Sequence, residues 1–120
     1  MDYSQLSDFE INKRVAEIIY RGFDINHPRE LAVIQAPDNE ADVVISTGSS
    51  REWRNYCHNP ADAWPIIVEN KITIHAPMHY EDTRKWLAFD VHNSDADFED
   101  GNPLRAAMIV FLKMQDAEHA

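Results

Sequence analysis

The chain has 120 residues, 44% of them hydrophobic, and its 21 acidic and 11 basic residues give a net charge of −10. This length fits one core, so we expect residues 1–120 to form a single domain. The acidic balance disfavours direct binding to DNA or RNA, because a phosphate-binding protein needs a basic surface. No apolar run is long enough to span a membrane and no secretory signal is visible, so we expect a cytoplasmic protein without a membrane partner.

The cysteine content narrows the chemistry further. Cys57 is the only cysteine, which excludes an internal disulfide, a CxxC redox site and a zinc cluster built on thiolates. A reducing compartment is the natural setting for such a chain. No catalytic set is visible either, so we expect no catalytic residues, no cofactor and no metal ligands.

The first predicted element is a helix over residues 8–21. Ser7 and Glu10 have the spacing of a capping box, in which each side chain satisfies a free backbone amide at the helix start. Apolar residues then recur at helical spacing: Ile11, Val15, Ile18 and Ile19. Gly22 is a suitable stop, since glycine adopts the left-handed conformation at low cost.

A β-hairpin is predicted next. Two short apolar runs, residues 31–34 and 43–45, flank the turn-forming residues 37–39. The following stretch, up to about Pro60, has no clear periodicity, and we predict it to be irregular.

The second half is also predicted to contain a helix followed by a hairpin. Asn59 and Pro60 suit a helix start, and Pro65 predicts an interruption that leaves one or two short helical turns. Alternating residues 71–75 and the apolar run 86–91 predict a second hairpin, joined through a polar loop. The acidic residues 95–100 are predicted to form a solvated loop near the start of the last helix.

The last predicted element is a helix capped by Asn102, with Pro103 in its first turn. It is apolar around most of its circumference, which predicts burial at the centre of the core. The full order is helix, hairpin, short helix, hairpin, helix. It predicts an α+β fold, an antiparallel sheet of two hairpins with two main helices and a short helix packed mainly on one face.

Two blocks of the sequence resemble the NinX-like proteins of tailed phages. They are NPADAWPIIVENKI at residues 59–72 and PLRAAM at residues 103–108, with a Trp-bearing strand at Trp86 between them. The resemblance covers the capped first helix and, separately, roughly residues 59–112. Trp64 stands where that family usually has glycine before the proline. The resemblance implies a phage or prophage accessory protein that works in the bacterial cytoplasm. It supplies no established activity, so no catalytic residues are carried over from it.

Several polar groupings match functional motifs weakly. His75 and His79 are four residues apart, but Pro77 between them breaks the helix that would align them as metal ligands. Cys57 and His58 are adjacent, whereas a catalytic Cys-His pair generally comes from distant segments. Residues 46–51 offer hydroxyls and an arginine, yet lack the GKS/T ending of a phosphate loop.

The stretch around Trp53 offers the best candidate site. Its composition of arginine, tryptophan and tyrosine is typical of protein–protein hot spots. We predict a partner-binding site formed by Arg51, Trp53, Arg54 and Tyr56.

Three functions fit these observations. We rank first a non-enzymatic protein-binding modulator of a host or phage factor. The alternatives are an acidic mimic of nucleic acid that inhibits a DNA- or RNA-binding enzyme, and an enzyme or small-ligand binder with a pocket near residues 47–58 or 75–79. An exposed sheet edge and an apolar last helix also make a homodimer reasonable.

Overall fold

The computed structural model describes residues 2–20, 31–36, 41–47, 50–77 and 84–118. Its contacts divide the chain into two compact units, Met1–Tyr56 and Cys57–Ala120. The expectation of a single domain stays a prediction. The helices are α1 Asp8–Ile19, α2 Pro60–Asn70 and α3 Pro103–Glu118. The strands are β1 Leu31–Gln35, β2 Val43–Thr47, β3 Ser50–Arg54, β4 Ile72–His75, β5 Trp86–Asp90 and β6 Asn93–Asp100.

The N-terminal unit is a three-stranded antiparallel sheet, in the order β1-β2-β3, with α1 packed against β1 and β2. The predicted cap of α1 is confirmed, since the Ser7 side chain accepts a hydrogen bond from the Glu10 N–H at 3.1 Å. The apolar face of α1 supplies the fully buried Ile11 and Val15. The predicted stop at Gly22 lies outside the described residues.

The predicted β1–β2 hairpin is confirmed, although its turn, residues 37–40, lies outside the described residues. The prediction of an irregular stretch after residue 47 is wrong for Ser50–Arg54, which forms β3 and pairs with β2. A strand of mainly polar residues has little apolar alternation of its own. It forms a strand because its backbone pairs with the buried strand β2, and a sequence pattern does not show that tertiary interaction.

The C-terminal unit contains a second antiparallel sheet, in the order β4-β5-β6. The predicted β4–β5 hairpin is confirmed. The prediction of an acidic loop at residues 95–100 is wrong, because these residues belong to β6. Residues 97–100 pair directly with β5, and the pairing is irregular between Asn93 and Asp97. Ala96 is buried and Phe98 is half-buried, and they alternate with exposed acids in the period of two expected of a half-buried strand.

Helix α2 begins as predicted, with the Asn59 side chain accepting from the Ala61 N–H at 3.0 Å and Pro60 in the first turn. The predicted interruption at Pro65 is wrong: the helix continues through this proline to Asn70. It ends at Lys71, whose φ of 55° is left-handed. Burial of Ile66 and Ile67 on the inner face stabilises the helix despite the missing N–H.

Helix α3 forms the centre of the C-terminal unit, as predicted. Asn102 caps it by accepting from the N–H groups of Leu104 and Arg105, at 2.9 and 3.3 Å. Every residue from 106 to 112 is buried, and α3 contacts α2 and all three strands of the second sheet. These helices and antiparallel sheets confirm the α+β fold class. Among the described residues, no helix combines the length and apolarity needed to cross a membrane.

Candidate functional site

Strand β3 divides the predicted binding residues between its two faces. Successive side chains of a strand point to opposite faces, and directly paired residues share a face. Arg51 and Trp53 therefore lie on one face, while Glu52 and Arg54 lie on the other. Tyr20 of α1 donates a hydrogen bond to the Glu52 carboxylate, which identifies the Glu52 face as the one covered by α1. Arg51 and Trp53 lie on the opposite face, which we call the outer face.

Trp53 belongs to an apolar row that crosses the outer face. It pairs with Val44 on β2, which in turn pairs with Ile34 on β1. Trp53 is 52% exposed and Ile34 is 56% exposed, whereas Val44 between them is only 5% exposed. We call these three residues the outer row. Two large apolar side chains at the ends of this row thus face solvent.

Arg51 lies in the neighbouring row of the same face, paired with Ser46. Its side chain is exposed. The outer face therefore offers a cation beside an exposed indole. Arginine and tryptophan are the residue types enriched at the energetic centres of protein interfaces.

Arg54 has a different environment, on the face toward α1. Its Nη2 lies 3.2 Å from the Glu52 carboxylate and its Nη1 donates to the Trp53 carbonyl at 2.8 Å. Burial, and then the hydrogen bond to Glu52, raise the pKa of the Tyr20 hydroxyl, which the Arg54 charge partly opposes. Arg54 thus belongs to a polar cluster with Tyr20 and Glu52.

Tyr56 is only 3% exposed and belongs to the core. The structure therefore brings Arg51 and Trp53 together on one surface and separates them from Arg54 and Tyr56. It also adds Ile34, which the sequence reasoning missed. The period-two alternation of the first hairpin was the available signal, since it places Ile34 and Val44 on one face once their register is known.

A buried amide fixes the end of β3. Asn12 of α1 is fully buried, and its Nδ2 donates to the Ala41 carbonyl at 2.8 Å and to Asn55 Oδ1 at 2.9 Å. Asn55 Nδ2 in turn donates to the Asp42 carboxylate at 2.9 Å. This network joins α1 to the start of β2 and the end of β3, and it holds the strand that carries Trp53.

The other groupings are placed separately. Cys57 is fully buried, whereas His58 is exposed and its Nδ1 lies 3.5 Å from Asn102 Nδ2. His75 is exposed with its Nδ1 2.8 Å from the Ala76 carbonyl oxygen, and His79 lies outside the described residues. Within the described ranges, no group of three or more His, Cys, Asp or Glu side chains is placed to hold a metal ion.

A cleft of about 310 Å³ lies at the N-terminal end of α1. Its described lining includes Ser7, Asp8, Phe9, Gln35 and Ala41, none of which belongs to residues 47–58 or 75–79, where a ligand pocket was predicted. The Ser7 hydroxyl is engaged as the helix cap, and the Ala41 carbonyl accepts from Asn12. Residues 46–51 were weighed above as a phosphate loop, and residues 48–49 of that stretch lie outside the described residues.

The family model described as bacteriophage P22 NinX matches residues 2–115. The chain belongs to the phage NinX family. The match extends through the residues of β1, β2 and β3, for which the sequence blocks alone gave no resemblance. Comparisons with curated proteins and with solved structures gave no match. The NinX family assignment thus identifies a phage protein.

Proposed function

We propose that this NinX family protein is a non-enzymatic accessory factor that binds a host or phage protein in the bacterial cytoplasm and modulates it. The observation that carries the proposal is the outer row, with Trp53 and Ile34 each more than half exposed on the sheet face away from α1. Trp53 and Ile34 flank Val44 in one apolar row, and exposed apolar side chains grouped in this way mark interaction surfaces more often than isolated ones do.

The geometry of the outer row suits a protein partner. A sheet holds its side chains at fixed spacing, so little conformational entropy is lost when a partner covers them. Trp53 supplies the large apolar contact, and Arg51 beside it supplies a hydrogen-bonding cation. A partner with an apolar pocket rimmed by carboxylates or carbonyl oxygens complements this pair.

The proposal is tested by capture from lysates of host cells, with and without phage infection, on the immobilised full-length protein. We expect Trp53→Ala to lose a specific partner that the unsubstituted chain retains. Val91→Ala is the matched control, because Val91 is also exposed but lies in the other unit. If Trp53→Ala captures the same partners in the same amounts, the outer row is not the binding site.

Strand β6 supports the second candidate function, an acidic mimic of nucleic acid. Asp95, Asp97 and Glu99 are all exposed and alternate along the strand, so their carboxylates lie on one face. Alternate residues of a strand are separated by roughly 6.7 Å. That row of negative charge, whose first member Asp95 lies at an irregularity in the pairing of β6 with β5, resembles the charge on one nucleic-acid strand.

This second candidate requires the charge of the row, not its shape. The triple variant Asp95→Asn, Asp97→Asn and Glu99→Gln removes the charge and keeps the side-chain size. For the mimic, we expect this variant to release a nucleic-acid-binding partner that added DNA or RNA also displaces. Retention of every captured partner by the triple variant argues against mimicry and leaves the outer row as the proposed site.

A further inference from the structure

Helix α2 presents an apolar stripe to solvent. Trp64 is 60% exposed and Val68 is 55% exposed, and both Ala61 and Pro65 are exposed as well. Measured from Ala61, the others follow at i+3, i+4 and i+7, so all of them lie on one side of the helix. We call these residues the outer stripe. It covers two helical turns, roughly 10 Å along the axis at 1.5 Å per residue.

The opposite side of α2 is also apolar, with Ala63, Ile66 and Ile67 buried in the C-terminal unit. A helix at a protein surface ordinarily has a polar outer side, and one that is apolar all round is ordinarily covered on both sides. Helix α1 of the same chain follows the ordinary pattern, since its exposed positions include Glu10, Lys13 and Glu17. The outer stripe therefore resembles a helix surface that another element covers, although it is exposed in this structure.

The spacing of the outer stripe specifies the shape of what covers it. Apolar residues at i, i+3, i+4 and i+7 form the seam along which one helix packs on another. The same spacing defines the anchors of amphipathic helices in recognition complexes. A second helix laid along α2 makes contact with the whole stripe.

Charge specifies the composition of that helix. Glu69 is exposed one turn beyond Pro65, on one flank of the stripe. In addition, Pro65 has no N–H to donate to the Ala61 carbonyl, which leaves that oxygen without its usual helical donor at the edge of the stripe. The Glu69 carboxylate and the Ala61 carbonyl oxygen both favour a partner with lysine or arginine beside its apolar face.

We propose that the outer stripe of α2 binds an amphipathic helix of a partner protein, whose apolar face is flanked by basic residues. A second copy of this chain fits less well, because it brings a further net charge of −10 to the same contact. The site does not involve Trp53 and lies in the other unit, so it stands or fails separately from the outer row.

The test uses the full-length protein and two synthetic helical peptides labelled with a fluorophore. Both carry leucines at i, i+3, i+4 and i+7; one has lysines beside this face and the other has glutamates. Fluorescence anisotropy measures binding. We expect the lysine peptide to bind, and Trp64→Ala and Val68→Glu each to weaken it at least about tenfold, as loss of a central anchor does. Glu69→Lys should weaken it roughly two- to fivefold, as expected for an exposed ion pair.

Val91→Ala and Trp53→Ala are the controls, and both should bind the lysine peptide as the unsubstituted chain does. Equal binding of the two peptides, or unchanged binding by both Trp64→Ala and Val68→Glu, overturns the proposal. Sedimentation of the protein alone tests whether a second copy of this chain covers the outer stripe. A dimer that Trp64→Ala dissociates shows that it does, and this result also overturns the proposal of a partner helix. Thermal unfolding of each variant verifies that the fold is retained.

Discussion

Tyr20, the residue that caps the C-terminal end of α1, donates its hydroxyl hydrogen to the carboxylate of Glu52 on β3. The bond joins the helix to the strand that carries Trp53. Glu52 also lies 3.2 Å from Arg54, so a predicted binding residue is part of this structural cluster. Arg51 and the outer row lie on the opposite, outer face of the sheet.

Tyr20 gives a prediction for the pH dependence of stability. Burial and the Glu52 hydrogen bond raise the pKa of Tyr20 above its ordinary value of 10.0. The folded state therefore favours the protonated phenol. The resulting stabilisation is full below the unfolded pKa and is lost as the pH rises through the raised folded pKa.

We expect Tyr20→Phe to lower the free energy of unfolding by about 1 kcal/mol near neutral pH, because the hydrogen bond is lost. The difference from the unsubstituted chain should shrink as the pH rises above about 10. Urea denaturation at a series of pH values measures both quantities. A difference that stays constant up to the highest pH contradicts the role assigned to this hydroxyl.

The Asn12 network gives a second stability prediction. Asn12→Ala removes the donors to the Ala41 carbonyl and to Asn55, and leaves both in a partly buried setting. We expect a loss of about 1–3 kcal/mol in the free energy of unfolding. Lys13→Ala, at the next and exposed position of α1, is the control and should change it by less than about 0.5 kcal/mol. Chemical denaturation distinguishes the two.

Asn102 has two separable roles at the start of α3. Its Oδ1 caps the helix, and its Nδ2 donates to the Cys57 carbonyl at 2.6 Å. Asn102→Ala removes both and should cost about 2 kcal/mol. Asn102→Ser keeps a capping oxygen but is too short to reach Cys57, so it should cost about half as much. Equal losses for the two variants in thermal denaturation would show that the cap contributes little.

Pro65 offers a stabilising substitution. It lies inside α2, where proline removes a backbone hydrogen bond, and its side chain is exposed. We expect Pro65→Ala to raise the free energy of unfolding by about 1–3 kcal/mol. Pro60→Ala is the matched control, because proline suits the first helical position and its loss brings no such gain. A gain from Pro60→Ala as large as that from Pro65→Ala would contradict this explanation.

Cys57 provides a probe of unfolding, since it is the only thiol and is fully buried. A thiol reagent should modify it at least about 100-fold more slowly in native buffer than in denaturant, because reaction requires opening of the fold. The time course of modification, followed by absorbance or mass spectrometry, measures this ratio. Fast native modification would show that the surroundings of Cys57 open without global unfolding.

The partner site was only partly predictable from sequence. Composition alone pointed to Arg51 and Trp53, because arginine and tryptophan stood together in a stretch without helical periodicity. It could not separate Trp53 from Tyr56, one half exposed and the other buried. The exposure of Trp53 depends on the register of β3 against β2, which brings residues near in space that are distant in sequence. Tyr56 lies beyond the end of that strand and is buried.

Local interactions explain what the sequence determined by itself. The caps formed by Ser7, Asn59 and Asn102 are hydrogen bonds to backbone amides two or three residues away, so each is visible in a short window. The two hairpins likewise follow from adjacent apolar runs. The order of these local elements predicted the α+β fold class, while length and charge indicated one acidic domain.

Non-local pairing explains what only the tertiary structure decided. Strands β3 and β6 consist mainly of polar residues and exist because β2 and β5 provide partners for their backbone groups. Helix α2 continues through Pro65 because burial of its inner face stabilises it. That stabilisation comes from tertiary packing and is not included in local helix propensities. The strand pairing of β3 and the burial of the inner face of α2 leave Trp53 and Trp64 exposed to solvent. Both proposed binding surfaces therefore depend on the tertiary structure.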